Sequence, residues 1–175
     1  MSGTPFEAGD FIWSKFPLSV QPDPPSLEHF VYTMGVSGVA GGGYAAVVAY
    51  TTSQTLPDPL PLGVLRFEMT EAARMGHNRP FVLHSGRLGH LPAKPNYFPR
   101  LDNPSHGVIG RALDSRQMTT AWAAVDLLKR RPEAIEHLGP PTLGKRPGYG
   151  RGVWHRLPRI SMTVSQVVRQ DWHAA

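Results

Sequence analysis

Residues 28–52 read Glu28-His-Phe-Val-Tyr-Thr-Met-Gly-Val-Ser-Gly-Val-Ala-Gly-Gly-Gly-Tyr-Ala-Ala-Val-Val-Ala-Tyr-Thr-Thr52. Over the first nine, Phe30, Tyr32, Met34 and Val36 fall on one side and His29, Val31 and Thr33 on the other, the period-two pattern of a half-buried strand. The last nine, from Tyr44, form a run of Ala, Val and Tyr closing on Thr51 and Thr52, which predicts a second long strand. The glycines between them, up to Gly41-Gly42-Gly43, predict a wide hairpin loop. A phosphate-cradling loop would need Gly-Lys-Ser/Thr and then a helix, whereas here a strand follows and no lysine is present.

Working outward from this pair, the aromatic and β-branched stretch 11–16 predicts a first strand that stops at Pro17, and the four prolines of 17–26 a loop. A second proline loop, 56–61, precedes a strand at 62–68. Short strands are predicted at 81–84, 87–91 and 107–113, so that six or seven strands come before any convincing helix. Asp114 can N-cap a helix over 115–131, where Met118, Trp122, Val125 and Leu128 recur at helical spacing and Lys129-Arg130-Arg131 complement the dipole. Pro132 opens a short helix, 132–138, closed by Gly139. Beyond it, 140–158 is basic with Tyr149 and Trp154 interleaved. Thr163-x-x-Gln166 has the form of a capping box, and Val164, Val167, Val168 and Trp172 make the apolar face of a terminal amphipathic helix. The fold class is therefore mainly β with C-terminal helices, a small, strongly curved barrel over residues 1–139 followed by a basic extension, 140–175.

Composition bounds the chemistry. The 175 residues include 18 glycines, 18 prolines and no cysteine. Without cysteine there is no disulfide framework, thiolate zinc site, iron–sulfur cluster or cysteine nucleophile. The remaining catalytic vocabulary is His, Thr/Ser, Asp/Glu, Lys/Arg and Tyr. A net charge of +5 suits a polyanionic partner and is silent about fold. The N-terminal stretch lacks a basic head and an apolar core, and no apolar run nears the ~20 residues of a membrane span, which predicts a cytoplasmic chain.

Specific residues narrow the barrel. Phe6-x-x-Gly9-Asp10-Phe-Ile-Trp13-x-x-Phe16 resembles the opening of MazF/PemK-type toxins, ribosome-independent endoribonucleases with an SH3-like barrel. The segment Val47-Val48-Ala49-Tyr50-Thr51-Thr52-Ser53-Gln54 is similar to that family's third strand, which ends in a threonine at the cleft. Gly110-Arg111-Ala112-Leu113-Asp114 is similar to its arginine-containing strand leading into the first long helix. The resemblance covers residues 6–130. It departs from the family in three ways. The basic-Arg-Pro opening of the second strand is here Ser26-Leu27-Glu28-His29, with His29 nearest the arginine position, and the Arg79-Pro80 pair comes after Thr52. The acidic-Gln pair before the late arginine is Val108-Ile109. The region 88–104 and the residues after the long helix have no counterpart in the minimal toxin.

The resemblance implies a growth inhibitor that cleaves single-stranded RNA without metal or cofactor, by attack of a ribose 2′-hydroxyl on the adjacent phosphorus. It also implies a homodimer and an acidic antitoxin lying across the cleft. Such a reaction needs a base, an acid and donors to the phosphorane oxygens. On this reading Thr52 and Ser53 donate hydroxyls and His29 shuttles protons, in a place where the family has an arginine with a permanent charge and a bidentate fork. Lys15, Arg66, Arg79 and Arg111, with Arg151 and Trp154 of the extension, are the candidate nucleic-acid contacts. A plainer reading stays open: His29 as a solvent-facing strand residue, Thr51, Thr52 and Ser53 as ordinary strand-end residues, and the chain as a catalytically inactive SH3-like barrel binding nucleic acid or a protein. His77, His84 and His90, spaced seven and six apart without interleaved carboxylates, make no zinc motif.

Overall fold

The computed structural model describes residues 6–17, 27–38, 43–102 and 108–138. The loop predicted beyond Pro17, most of the glycine loop and the extension 140–175, with its terminal helix, Arg151 and Trp154, lie outside the described residues. In chain order the elements are β1 (Asp10–Ser14), β2 (His29–Gly38), β3 (Tyr44–Thr52), β4 (Val64–Phe67), α1 (Met69–Arg74), β5 (Phe81–Pro92), β6 (Val108–Arg111), α2 (Asp114–Arg130), a 3-10 turn (Pro132–Ala134) and β7 (Glu136–Leu138). The strands form one curled sheet in the order β4-β5-β3-β2-β1-β6, antiparallel throughout, with β7 added parallel to β5. This is the mainly β, SH3-like half-barrel with C-terminal helices that the sequence predicts.

The β2–β3 pair forms as its apolar runs require, from Val31↔Tyr50 to Gly38↔Tyr44. The half-buried expectation for β2 needs correction, because both of its faces are covered. The register with β3 shifts between Thr33 and Gly35, a bulge that inserts one residue and reverses the alternation. Phe30, Tyr32 and Met34 therefore enter one apolar cluster, while Val31 and Val36 enter another. The first cluster lies between the sheet and the helices, and includes Ala121, Ala124, Val125 and Leu127 of α2 and Ala72 and Met75 at α1. At its centre Phe11 stacks on Phe30 at 5.0 Å and meets the edges of Phe67 and Phe81. Truncating Phe11 to alanine would cost about 3–5 kcal/mol. The second cluster packs Phe6, Phe16, Tyr97 and Phe98 over Ile12, Val31, Val48 and Leu91 on the other side.

Four further expectations are corrected. A helix, α1, intervenes between β4 and β5; Met69-Thr-Glu-Ala-Ala-Arg74 is built of good helix formers but is too short to show an apolar period. The strands predicted at 81–84 and 87–91 are one twelve-residue strand, kinked at its middle. Asp114 is the first helical residue, with Leu113 at the N-cap and no side-chain cap; its carboxylate complements the dipole instead. The short helix predicted at 132–138 is only a 3-10 turn, after which β7 pairs with β5. Proline and glycine mark a turn there as well as they mark a helix, and the part of β5 beyond His84, which β4 leaves unpaired, captures the chain.

Candidate functional site

His29 opens β2 and Thr52 closes β3. His29 pairs with Ser14 of β1 and Thr52 with Val82 of β5. The β2–β3 register, Val31↔Tyr50, carried two residues further sets His29 opposite Thr52. Two of the predicted residues thus share one end of the sheet. The neighbouring Thr51 is buried, and its hydroxyl donates to the Phe30 carbonyl. Thr52 is half-buried, its Oγ1 accepting the Gln54 N–H at 3.2 Å in a local turn that leaves its own proton available to donate. Ser53 is exposed in that turn.

Tyr50 lies two residues before Thr52, and its ring gathers the rest. The centroids of His29 and His84 stand 5.6 and 5.9 Å from it, and the Arg87 guanidinium sits over its face at 4.8 Å. Arg87 reaches this position through the kink in β5. Ala49 pairs with Leu88 but Tyr50 pairs with His84, so residues 85–87 bulge out between them. Ser85 anchors the bulge by donating its hydroxyl to the Gly63 carbonyl at 2.7 Å. Beyond the kink Arg87 pairs with Glu136 of β7, Nε to Oε2 at 3.3 Å. Arg87 Nε is buried without a hydrogen bond of good geometry: the two charges touch, but the N–H is not aimed at the carboxylate.

Burial lowers the pKa of His29 below 6.5, and the nearby Arg87 charge lowers it further. His84 is lowered by the same two causes in the same order, with Glu136 partly opposing them. Both imidazoles are therefore predominantly neutral at pH 7 and able to accept a proton. Beside this cluster a cleft of about 370 Å³ opens between the start of β4, the β5 kink, α2 and β7, lined by Leu62, His84, Arg87, Leu127, Ala134 and Glu136.

The other predicted contacts are dispersed. Arg66 is joined to Thr52 through Val82, the register partner of both; its guanidinium pairs with Asp58 at 3.2 Å and the Leu56 carbonyl at 3.0 Å, fastening the loop after β3. Arg111 pairs with Asp10 at 2.7 Å and Glu7 at 3.0 Å, at the end of β1 away from Ser14 and His29. Arg79 is exposed in the turn before β5, its carbonyl 2.9 Å from His77 Nδ1. Lys15 follows β1, where its backbone N–H donates to the Tyr97 carbonyl. Tyr50, His84, Arg87 and Glu136 are absent from the predicted site. The signal that could have found them is Gly86 between Ser85 and Arg87 in the middle of a strand pattern, which marks a bulge and hence a change in which side chains share a face.

Among the described residues no three His, Asp or Glu side chains converge as a metal-holding group, and no helix is long and apolar enough to cross a membrane. No protein-family profile matches the chain, and no curated protein sequence does either.

Proposed function

We propose that this chain is a divergent MazF/PemK-like endoribonuclease, a growth inhibitor that cleaves single-stranded RNA, with its reacting phosphate over His29, Thr52, His84 and Arg87. The observation that carries the proposal is the Arg87 guanidinium over Tyr50, close enough to lower both histidines. The arginine missing from the start of the second strand then has a substitute, delivered from β5. Neutral His29 takes the proton of the ribose 2′-hydroxyl, whose oxygen attacks phosphorus as the bond to the 5′-oxygen breaks. Bound phosphate opposes the charge of Arg87 and favours the protonated form of His84, which gives its proton to the leaving oxygen. Arg87 and the Thr52 hydroxyl stabilise the phosphorane oxygens. The products are a 2′,3′-cyclic phosphate and a 5′-hydroxyl. A second copy and an acidic antitoxin segment belong to the same proposal.

The test is single-stranded RNA cleavage by the purified chain and its variants. His29→Ala and Arg87→Ala should each lower the rate by about 10²- to 10³-fold, with Thr52→Ala lowering it less. Cleavage at full rate in the first two would remove the assignment. A second reading, a barrel that is not catalytic and leaves RNA binding to the basic extension, is favoured by the carboxylates that neutralise Arg66, Arg87 and Arg111. RNA binding without any cleavage selects it.

A further inference from the structure

The cleft beside the histidines has walls of two kinds. Leu62, Leu127 and Ala134 supply apolar lining, and His84, Arg87 and Glu136 supply polar lining, the first two of these also contacting the Tyr50 ring. Its volume, about 370 Å³, exceeds that of a nucleobase, and aliphatic lining combined with a few charged and polar groups suits a heterocycle buried between apolar side chains and read along one edge. The cleft is a consequence of the fold. A Cβ on Gly86 would lie 2.3 Å from Leu127 Cδ2, so the glycine lets α2 lay Leu127 against the kink and form the floor, while the same kink turns Arg87 towards Glu136.

We propose that this cleft binds the guanine base next to the scissile phosphate, with the Glu136 carboxylate accepting from guanine N1–H and the N2 amino group. The proposal rests on the ribonuclease reading of the neighbouring cluster. Guanine alone among the four bases presents two adjacent donors on its Watson–Crick edge, matching the two oxygens of a carboxylate, which can only accept. Adenine and cytosine offer an amino group next to an acceptor, and uracil one N–H between two carbonyls. Arg87 fixes Glu136 from one side at 3.3 Å, and the Glu136 side chain is 58% exposed towards solvent, so it has lone pairs within reach of an entering base. The Arg87 guanidinium touches both this carboxylate and the Tyr50 ring, which lets it link base and phosphate in the proposed complex.

The experiment is a binding titration of the full chain with guanosine, adenosine, cytidine and uridine 3′-monophosphates, read by the imidazole C–H resonances of His84, together with mapping of cut ends in a long RNA of mixed sequence. Guanosine 3′-monophosphate should bind about ten- to a hundredfold tighter than the other three. Glu136→Gln, at an exposed position that leaves the core intact, should abolish the preference because the amide replaces one acceptor with a donor. Equal binding of the four nucleotides overturns the proposal, and does so even if RNA is cleaved. Selective guanosine binding that Glu136→Gln removes upholds it even if no RNA is cut, and in that case the ribonuclease reading alone is lost.

Discussion

Arg87 acts on two histidines that lie on different strands, and this coupling is visible without any substrate. Replacing it with glutamine removes one of the two causes that hold His29 and His84 low. Both imidazoles should then titrate at higher pH in a proton NMR titration, each staying below 6.5 because burial, the larger cause, remains. Unchanged titrations would mean that Arg87 does not face them in solution. The same shifts set the acid limb of stability. Because the folded chain holds both histidines below 6.5, the unfolded chain binds more protons as the pH falls through 6.5. Stability is fully present above that value and declines from there down to the folded pKa values. Urea midpoints at pH 7.5 and 5 should show this decline, and His84→Gln should reduce it.

At the scale of elements, the glycines record where pieces of the fold touch. A Cβ on Gly110 of β6 would lie 2.6 Å from Met75 Cα and 2.8 Å from its carbonyl carbon. The obstacle is backbone at the C-cap of α1, which cannot move aside as a side chain can. Gly110→Ala should destabilise by about 1–3 kcal/mol, read as a lower urea midpoint at unchanged slope. Gly38→Ala in β2, with nothing within 4 Å of the added atom, should stay within about 0.5 kcal/mol. These contacts also show what the sequence could convey. β3 was legible to the residue, because a nine-residue run of Ala, Val, Tyr and Thr has a strand's length and its ends are marked by Gly43 and Ser53. α1 was not, since its burial amounts to Ala72 and the adjoining Met75, too little to make a pattern. The site divides in the same way: His29 and Thr52 share an end because strand termini can be counted, whereas His84 and Arg87 join them through a three-residue bulge that local propensity does not encode. β7, and with it Glu136, depends on the length of β5 that the four-residue β4 leaves unpaired.

At the scale of the whole molecule, charge and site are separable. Residues 1–138 hold twelve basic and twelve acidic side chains, whereas 139–175 hold six basic and one acidic, which accounts for the entire net charge of +5. Within the barrel the arginines are locally engaged: Arg66, Arg87, Arg100, Arg111, Arg116, Arg130 and Arg131 each stand 3.3 Å or less from a carboxylate. A neutral barrel has little long-range attraction for a polyanion, so on the ribonuclease proposal the salt-dependent part of RNA affinity should belong to the last 37 residues. Each phosphate neutralised on a single strand contributes about −0.7 to the slope of log K against log salt. Glutamine at Lys145, Arg146, Arg151, Arg156, Arg159 and Arg169 should therefore make the slope shallower by up to about 4. Cleavage of a short oligonucleotide that fills only the His29–Arg87 site should persist in that variant, because proton transfer at the phosphate uses none of the six. If the slope is unchanged, the RNA contacts lie on the barrel, and local carboxylate pairing does not restrain its arginines. If instead oligonucleotide cleavage disappears with the charge, the extension contributes to the reacting site, and the division between a neutral catalytic barrel and a basic arm fails.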